Sequence, residues 1–246
     1  GVFSIYSAGA DQQALDRLSE SDGSPNSVFT RVFAVPVARA GTVPASALIA
    51  IAGAYWPAMP WLHWLFKPLT TLLIAAMVWR TPAALPRYRA WLLAGLALST
   101  AGDVFLMLPF DAFVAGLASF LLAHVAYLAA LNTRERLFAA RWPFALYAIV
   151  AGLVLSQLWA GLPGELRVPV IVYVVVLAGM AAQALAVWWR RRDGAALCGA
   201  WGGAFFVLSD ALLAWDRFVA PFAAASLAVL ATYWIAQWGL ARSVPR

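Results

Sequence analysis

The sequence predicts an all-α, polytopic membrane protein with eight transmembrane helices, and its composition, its long apolar segments and the placement of its arginines predict this class. Of its 246 residues, 64% are hydrophobic and 11% are charged, and the mean hydropathy is +0.80. An ordinary soluble domain has about 25% charged residues, so one soluble core cannot bury this excess of apolar side chains. The composition also excludes disordered and collagen-like chains. The single cysteine, Cys198, excludes an internal disulfide framework.

The first part of the chain differs from the rest. Residues 1–41 contain four acidic residues and a run rich in Ser, Asp, Gly, Pro and Asn. They lack the basic start, apolar centre and small-residue cleavage site of a signal peptide. We expect a poorly ordered polar leader over residues 1–41 and an eight-helix transmembrane domain over residues 42–246.

Eight apolar segments come after the leader. A helix needs about 20 mainly apolar residues to cross a bilayer. The predicted spans cover residues 43–60, 64–80, 89–108, 112–131, 142–161, 166–189, 195–214 and 219–240. Because the connections are short, we expect consecutive helices to be antiparallel neighbours in a compact bundle.

The basic residues predict the orientation of these spans. Fourteen of the 17 basic residues lie in the leader, in the second, fourth and sixth connections, or after the eighth span. The other three are Lys67, Arg167 and Arg217. Cytoplasmic loops are enriched in Lys and Arg, so we expect both termini to be cytoplasmic and the protein to lie in a bacterial inner membrane. The charges form no basic tail or amphipathic stripe, so no nucleic-acid partner is expected.

Two aspartates interrupt the apolar spans. Asp103 lies in the third span and Asp210 in the seventh. An intramembrane charge costs at least about 2.5–3.5 kcal/mol, so such residues are functional candidates. Each lies about one turn before the predicted outer end of its span, so we expect equal depth, with spans three and seven side by side. Their similar surroundings indicate a faint four-plus-four parallel repeat.

Two carboxyl groups close together in a low-dielectric site do not both ionise readily, which leaves one protonated acid beside one carboxylate. That combination suits hydrolysis through a cationic intermediate. The alternative is that the two aspartates serve only as hydrogen-bonding groups that hold the helices together.

Other polar side chains in the spans are candidates for supporting roles. We expect catalytic or orienting roles for His124, Ser99 and Ser209; Ser99, one turn before Asp103, is placed to orient it. By residue count His124 lies about 10 Å deeper than the aspartates. The candidate substrate-binding residues are Lys67, Tyr127, Tyr173, Tyr233 and Gln237. For each, a hydrogen bond between helices is the alternative role.

Lys67 is the only lysine, and Pro68 is the next residue. Proline favours the first turn of a helix, so we expect Lys67 at the N-terminal end of the second span. The helix dipole disfavours a cation there. We therefore expect Lys67 to bind a lipid phosphate or a carboxylate near the outer surface, with snorkelling to the headgroups as the alternative.

Metal and nucleotide chemistry have no support in the sequence. It contains only two histidines, His63 and His124, which excludes a three-histidine zinc site. A metal site of two histidines and two aspartates stays open, although no spacing in the sequence supports it. Nucleophile-elbow, phosphate-loop and dinucleotide motifs are also lacking. We expect no metal and no organic cofactor.

Five ordered motifs resemble the lysoplasmalogenase family of integral membrane proteins, the YhhN-like group. They are KPLTT at 67–71, GDVFLML at 102–108, SFLLAHVAY at 119–127, FVLSDALLA at 206–214 and TYWIAQ at 232–237. The resemblance covers about residues 44–241.

This resemblance implies hydrolysis of the vinyl ether bond of a lysoplasmalogen, a lysophospholipid substrate held in the bilayer. The products would be a fatty aldehyde and a glycerophospho-base. It also implies that Asp103 and Asp210 are catalytic and that no cofactor is needed. Two alternatives stay open: a proton-coupled transporter that uses the aspartate pair, and a hydrolase of another lysolipid.

Overall fold

The computed structural model describes residues 41–110 and 112–245, and this part of the chain is helical without strands. It contains eight α-helices: α1 (Thr42–Ala54), α2 (Pro60–Arg80), α3 (Pro86–Phe105), α4 (Phe113–Asn132), α5 (Trp142–Leu158), α6 (Arg167–Arg191), α7 (Gly194–Phe218) and α8 (Ala225–Arg242). A 3₁₀ turn, Gly164–Leu166, precedes α6. The predicted all-α class is confirmed. The predicted leader, apart from Gly41, lies outside the described residues.

Four helices in the described part are long and apolar enough to cross a membrane. They are α2, α4, α6 together with the turn before it, and α7. The helices α1 and α5 are apolar but shorter, with 13 and 17 residues. The helices α3 and α8 contain more polar residues. The chain is therefore built as a multi-pass membrane protein, while the full set of eight spans and the four-plus-four repeat stay predictions.

The boundary between the first two helices differs from the predicted one. α1 ends at Ala54 because Pro57 comes shortly after it, and proline does not continue a helix. α2 begins at Pro60, which takes the first-turn position expected for Pro68. Lys67 consequently lies two turns inside α2, so its predicted place at a helix N-terminus is wrong.

The helices that carry the two aspartates pack against their neighbours along the chain, as the short connections predict. α3 packs mainly against α2 and α4, whereas α7 packs mainly against α6 and α8. α3 and α7 have no extensive contact in the described part, so the expectation that spans three and seven lie side by side is wrong. Gly202 of α7 and Gly239 of α8 explain the α7–α8 pairing, since a Cβ on either would lie within 3 Å of the other helix's backbone.

The arginine-rich connections meet at one end of the bundle. Arg134 Nη2 lies 2.7 Å from Asp193 Oδ2, and Arg191 Nε lies 2.6 Å from Glu135 Oε1. These ion pairs join the fourth connection to the sixth. The carbonyl of Pro245 accepts a backbone hydrogen bond of 3.0 Å from the second connection. Within the described residues, these contacts bring together the fourth and sixth connections, and likewise the second connection and the residues after α8, which the sequence assigns to the same side.

The close contact between α7 and α8 gives a stability prediction. In Gly202→Ala, the new Cβ would lie 2.7 Å from the backbone nitrogen of Leu240 and push the helices apart. We expect a loss of about 1–3 kcal/mol, seen as a lower thermal unfolding midpoint in detergent. Gly179→Ala is the matched control, because nothing lies within 4 Å of a Cβ there. An equal loss in both variants would contradict this packing.

Candidate functional site

A cavity of about 130 Å³ lies between the helices, and both intramembrane aspartates line it. Every helix except α1 contributes to its wall. Most of the lining is aliphatic or phenylalanine side chains. The polar or charged lining residues are Lys67, Asp103, Tyr147, Tyr173, Ser209, Asp210 and Tyr233. Asp103 and Asp210 therefore share one apolar cavity, although their helices are not packed neighbours.

Asp103 is buried and has three polar partners. Lys67 Nζ lies 3.8 Å from Asp103 Oδ1, and the two side chains are 11% and 2% exposed. The hydroxyls of Thr71 and Tyr233 donate hydrogen bonds of 3.0 and 2.9 Å to Oδ2. Lys67 and Thr71 share one face of α2 because they are four residues apart. One cation and two hydrogen-bond donors therefore stabilise the ionised carboxylate of Asp103 at a position shielded from water.

Asp210 has a different environment. The hydroxyl of Tyr173, on α6, donates a hydrogen bond of 2.5 Å to Asp210 Oδ2. Within residues 41–110 and 112–245, no cation forms an ion pair with Asp210 and its Oδ1 accepts no hydrogen bond. The residue is partly exposed, and the cavity is the space that it faces. The two aspartates are therefore chemically unequal.

The two aspartates do not lie at equal distances from the ends of their helices. Asp103 is in the last turn of α3, which ends at Phe105 before Pro109. Asp210 lies more than two turns before the end of α7 at Phe218. The equal spacing from the helix ends predicted from the sequence is wrong. α7 does not end at residue 214, as predicted, but continues through Asp216 and Arg217 to Phe218.

A second group of predicted residues forms a separate buried network. The Tyr127 hydroxyl donates a hydrogen bond of 2.7 Å to Gln237 Oε1. Ser99 Oγ lies 3.1 Å from the same hydroxyl. None of these three residues lines the cavity. The expectation that Ser99 orients Asp103 is wrong, because its hydroxyl pairs with Tyr127.

His124 and Ser209 lie near Asp210 without a hydrogen bond to it. Ser209 lines the cavity, but its hydroxyl donates to the backbone carbonyl of Val229 at 3.0 Å. His124 is fully buried, with its ring centroid 4.6 Å from that of Phe206 and 5.3 Å from that of Tyr173. Among the described residues, neither ring nitrogen of His124 has a hydrogen-bond partner. His124 thus packs against the tyrosine that holds Asp210.

Thr71 is the site residue that sequence reasoning missed. Threonine is common in membrane helices, where its hydroxyl often bonds to its own backbone, so its presence alone predicts no role. Its spacing of four residues from Lys67 was the available signal, since this spacing places both on one helix face.

The comparisons with known proteins agree with the motifs. A model of the YhhN family matches residues 62–244. Lysoplasmalogenase TMEM86B of Homo sapiens is 34% identical over 182 residues, which cover 73% of this chain and 74% of that protein. A lysoplasmalogenase of Mycobacterium bovis is 35% identical over 63% of this chain and 59% of its own length.

Another bacterial relative matches three quarters of the chain. An Escherichia coli protein named uncharacterized membrane protein YhhN is 28% identical over 185 residues, 75% of this chain and 88% of its own length. No solved structure matches. The resemblance inferred from the five motifs is confirmed.

The ion pair at Asp103 gives a second stability prediction. Lys67→Met leaves the Asp103 carboxylate buried without its cation, and such a change costs about 3–5 kcal/mol in folded proteins. The double variant Lys67→Met, Asp103→Asn removes both charges and should recover most of this loss. Thermal unfolding in detergent measures both variants. A double variant no more stable than Lys67→Met would show that the ion pair does not account for the loss.

Proposed function

This chain belongs to the YhhN family, and from that premise we propose that it is a lysoplasmalogenase-type hydrolase acting within the membrane. The observation that carries the proposal is one apolar cavity lined by two unequal aspartates, one ion-paired and one not. Relatives named lysoplasmalogenase, at 33–35% identity, support the hydrolase class.

The proposed substrate is a lysophospholipid with a vinyl ether at the head of its single chain. The aliphatic walls of the cavity suit such a chain, and the carboxyl groups lie where the linkage would reach them. Cleavage consumes one water and gives a fatty aldehyde and a glycerophospho-base.

Vinyl ethers resist bases and nucleophiles but react with acids. Protonation of the alkene carbon that does not carry the oxygen gives an oxocarbenium ion. Water adds to the carbon that carries the oxygen and loses a proton to give a hemiacetal. The hemiacetal breaks its bond to the glycerol oxygen as that oxygen is protonated and the hemiacetal hydroxyl gives up its proton, which leaves the aldehyde. One carboxyl group that acts in turn as acid, base, acid and base can serve all four proton transfers and ends protonated, as it began; a carboxyl in retaining glycosidases alternates in the same way.

We assign these proton transfers to Asp210. Tyr173 holds Asp210 Oδ2, so Oδ1 is the oxygen that would carry the proton into the cavity. No cation from the described residues competes for the carboxyl group, which favours its protonated form in apolar surroundings.

Asp103 takes the complementary role in this proposal. Its bonds to Thr71 and Tyr233 and its ion pair with Lys67 fit a permanent carboxylate. A fixed negative charge facing the cavity stabilises the oxocarbenium ion as it forms. Lys67 thereby balances the charge of Asp103, so of the two ligands expected for it from the sequence, a lipid phosphate or a carboxylate, this proposal takes the carboxylate.

The membrane arrangement is also part of the proposal. Eight helices that alternate in direction, with the basic connections at one end, fit eight spans with both termini in the cytoplasm of a bacterium. The outer ends of α4, α5 and α7, which border the cavity, would then face the periplasmic side of the inner membrane.

The catalytic assignment is tested by substituting the two aspartates. We expect Asp210→Asn and Asp103→Asn each to lower aldehyde release from a lysoplasmalogen by at least about a hundredfold, with the larger loss for Asp210→Asn. Purified proteins are assayed by mass spectrometry, and their unfolding midpoints are compared. Ser156→Ala is the control and should stay active, because Ser156 does not line the cavity and its hydroxyl bonds to the Leu153 carbonyl of its own helix. Full activity in Asp210→Asn would refute its role as proton donor.

The same assay separates the alternatives. Fatty acid released from an acyl lysolipid, with no aldehyde from the vinyl ether, would assign the protein to another lysolipid hydrolysis. Substrate flux into proteoliposomes without any cleavage product would assign a transporter.

The orientation is tested by cysteine labelling in a Cys198→Ser background. A cysteine replacing exposed Glu165, in the connection before α6, should react with an impermeant maleimide in intact spheroplasts. A cysteine replacing exposed Arg190, at the basic end, should react only after the membrane is opened. The reverse labelling pattern would invert the proposed topology.

A further inference from the structure

The cavity extends only a short way past Asp210 toward the arginine-rich end of the bundle. Among the described residues, none before Val207 on α7, none after Ala178 on α6 and none before Tyr147 on α5 lines it. Val207 precedes Asp210 by three residues, which is roughly 4.5 Å along the helix axis. Tyr147, Val207 and Ala178 belong to one hydrophobic cluster, so side chains fill this end of the cavity.

The helices α6 and α7 are in close contact just beyond this level. Gly203 of α7 precedes Val207 by about one turn, and a Cβ there would lie 3.0 Å from the Cα of Ala181 on α6. Two helices at this separation leave no space between them for a ligand. A long hydrocarbon chain bound with its linkage at Asp210 therefore cannot continue along α7 toward the arginine-rich end.

The other end of the cavity is held together by contacts with the end of α7. The rings of Phe113 and Phe218 lie edge to face, with centroids 5.8 Å apart. Gly161, in the connection after α5, lies so close to α7 that a Cβ there would collide with the carbonyl oxygen of Phe218. The connection after α5 is thus packed against the end of α7.

Between these two ends, α5 and α7 meet loosely. α5 packs mainly against α6 and has little contact with α7. Ala151 and Val154 of α5 and Ala211 and Ala214 of α7 line the cavity along this stretch, and all four are partly exposed. We call this line of small side chains the α5–α7 seam.

We propose that the α5–α7 seam binds the hydrocarbon chain of the lipid where the chain passes from the cavity into the bilayer, a role that rests on the proposed function. Ala211 follows Asp210 directly, so the seam begins beside the carboxyl group that meets the linkage. The chain leaves sideways because packed side chains and the α6–α7 contact close the direction along α7 toward the arginine-rich end.

The outer face of α5 suits this arrangement. Leu146, Ile149 and Leu153 on that face are large, apolar and exposed, as expected of side chains that contact lipid tails. The distal part of the chain then stays among bilayer lipids beside α5. The protein encloses the linkage and the first part of the chain, and the rest of the chain remains outside.

Photolabelling with uncleavable probes tests the proposal. Two long-chain 1-O-alkyl lysophosphoethanolamines, whose saturated ether is not a vinyl ether, carry a diazirine either beside the ether or at the methyl end. The purified full chain is irradiated in phosphatidylcholine nanodiscs, with and without excess unlabelled 1-O-alkyl lysophosphoethanolamine, and mass spectrometry locates the label. We expect the ether-end probe to label the four seam residues displaceably. The methyl-end probe should lose this labelling, because its diazirine lies in the bilayer.

Substitutions in the seam give an independent measurement. Ala151→Phe fills the seam from α5, so we expect the Kd of the unlabelled lipid, measured by displacement of the ether-end probe, to rise about tenfold or more. Ala214→Phe should have the same effect from α7. Ala148→Phe is the matched control, because Ala148 is exposed on the same helix outside the cavity lining, and it should bind as wild type does.

Unfolding midpoints close to that of wild type show that each variant is folded. The labelling map of the wild-type protein needs no variant, so it tests the proposal even where a variant fails to fold.

Several results would overturn the proposal. These are displaceable labelling by the ether-end probe that is confined to α2, α3 and α8, and equal displaceable labelling of the cavity lining by both probes, which would place the whole chain inside the protein. An unchanged Kd in Ala151→Phe, or an equal loss in Ala148→Phe, would also contradict it. Neither probe is cleaved, so displaceable labelling elsewhere refutes the seam alone, whereas no displaceable binding at all refutes the proposed substrate class as well.

Discussion

The requirement that an ionised group inside a membrane be compensated by the protein itself governs this structure. Asp103 satisfies it through Lys67, Thr71 and Tyr233, which come from two other helices. Water in the lipid interior is too scarce to replace any of these partners. α2, α3 and α8 must therefore meet at one point with their polar side chains aligned, and this meeting point forms one wall of the cavity.

The second carboxyl group lacks that compensation. Asp210 has one tyrosine hydroxyl and no partner cation in the described part of the chain. The same residue type in the same cavity thus has two environments, and this is the usual way in which proteins assign different roles to two acids. Family membership and the names of the relatives support a lysoplasmalogenase-type hydrolase, and the contrast between the two sites is the basis of the different roles proposed for the two aspartates.

Hydropathy predicted the helical segments well because it depends on local composition, which a bilayer imposes directly. The two aspartates were found for a related reason, since charge is rare in such spans. Tyr173 and Tyr233 were also predicted as site residues. The aspartate that each one contacts was not predicted, because that depends on helix neighbours that no local pattern encodes.

Two residues were placed wrongly. Lys67 was misplaced because Pro60 and Pro68 both fit a first turn, and the motif gave no means to choose between them. Ser99 was misassigned for a similar reason, since a spacing of four residues brings a group near a neighbour but does not exclude a better partner on another helix.

The walls of the cavity resemble the lipid interior, and this affects how a ligand is selected. A hydrocarbon tail that moves from the bilayer into contact with aliphatic side chains stays in apolar surroundings, so it gains little hydrophobic free energy. Discrimination among membrane lipids then depends on a handful of polar atoms around the headgroup and the linkage, while tail length contributes little. Occupancy would track the mole fraction of the ligand among its neighbouring lipids, so the composition of the surrounding leaflet sets the working concentration for this protein.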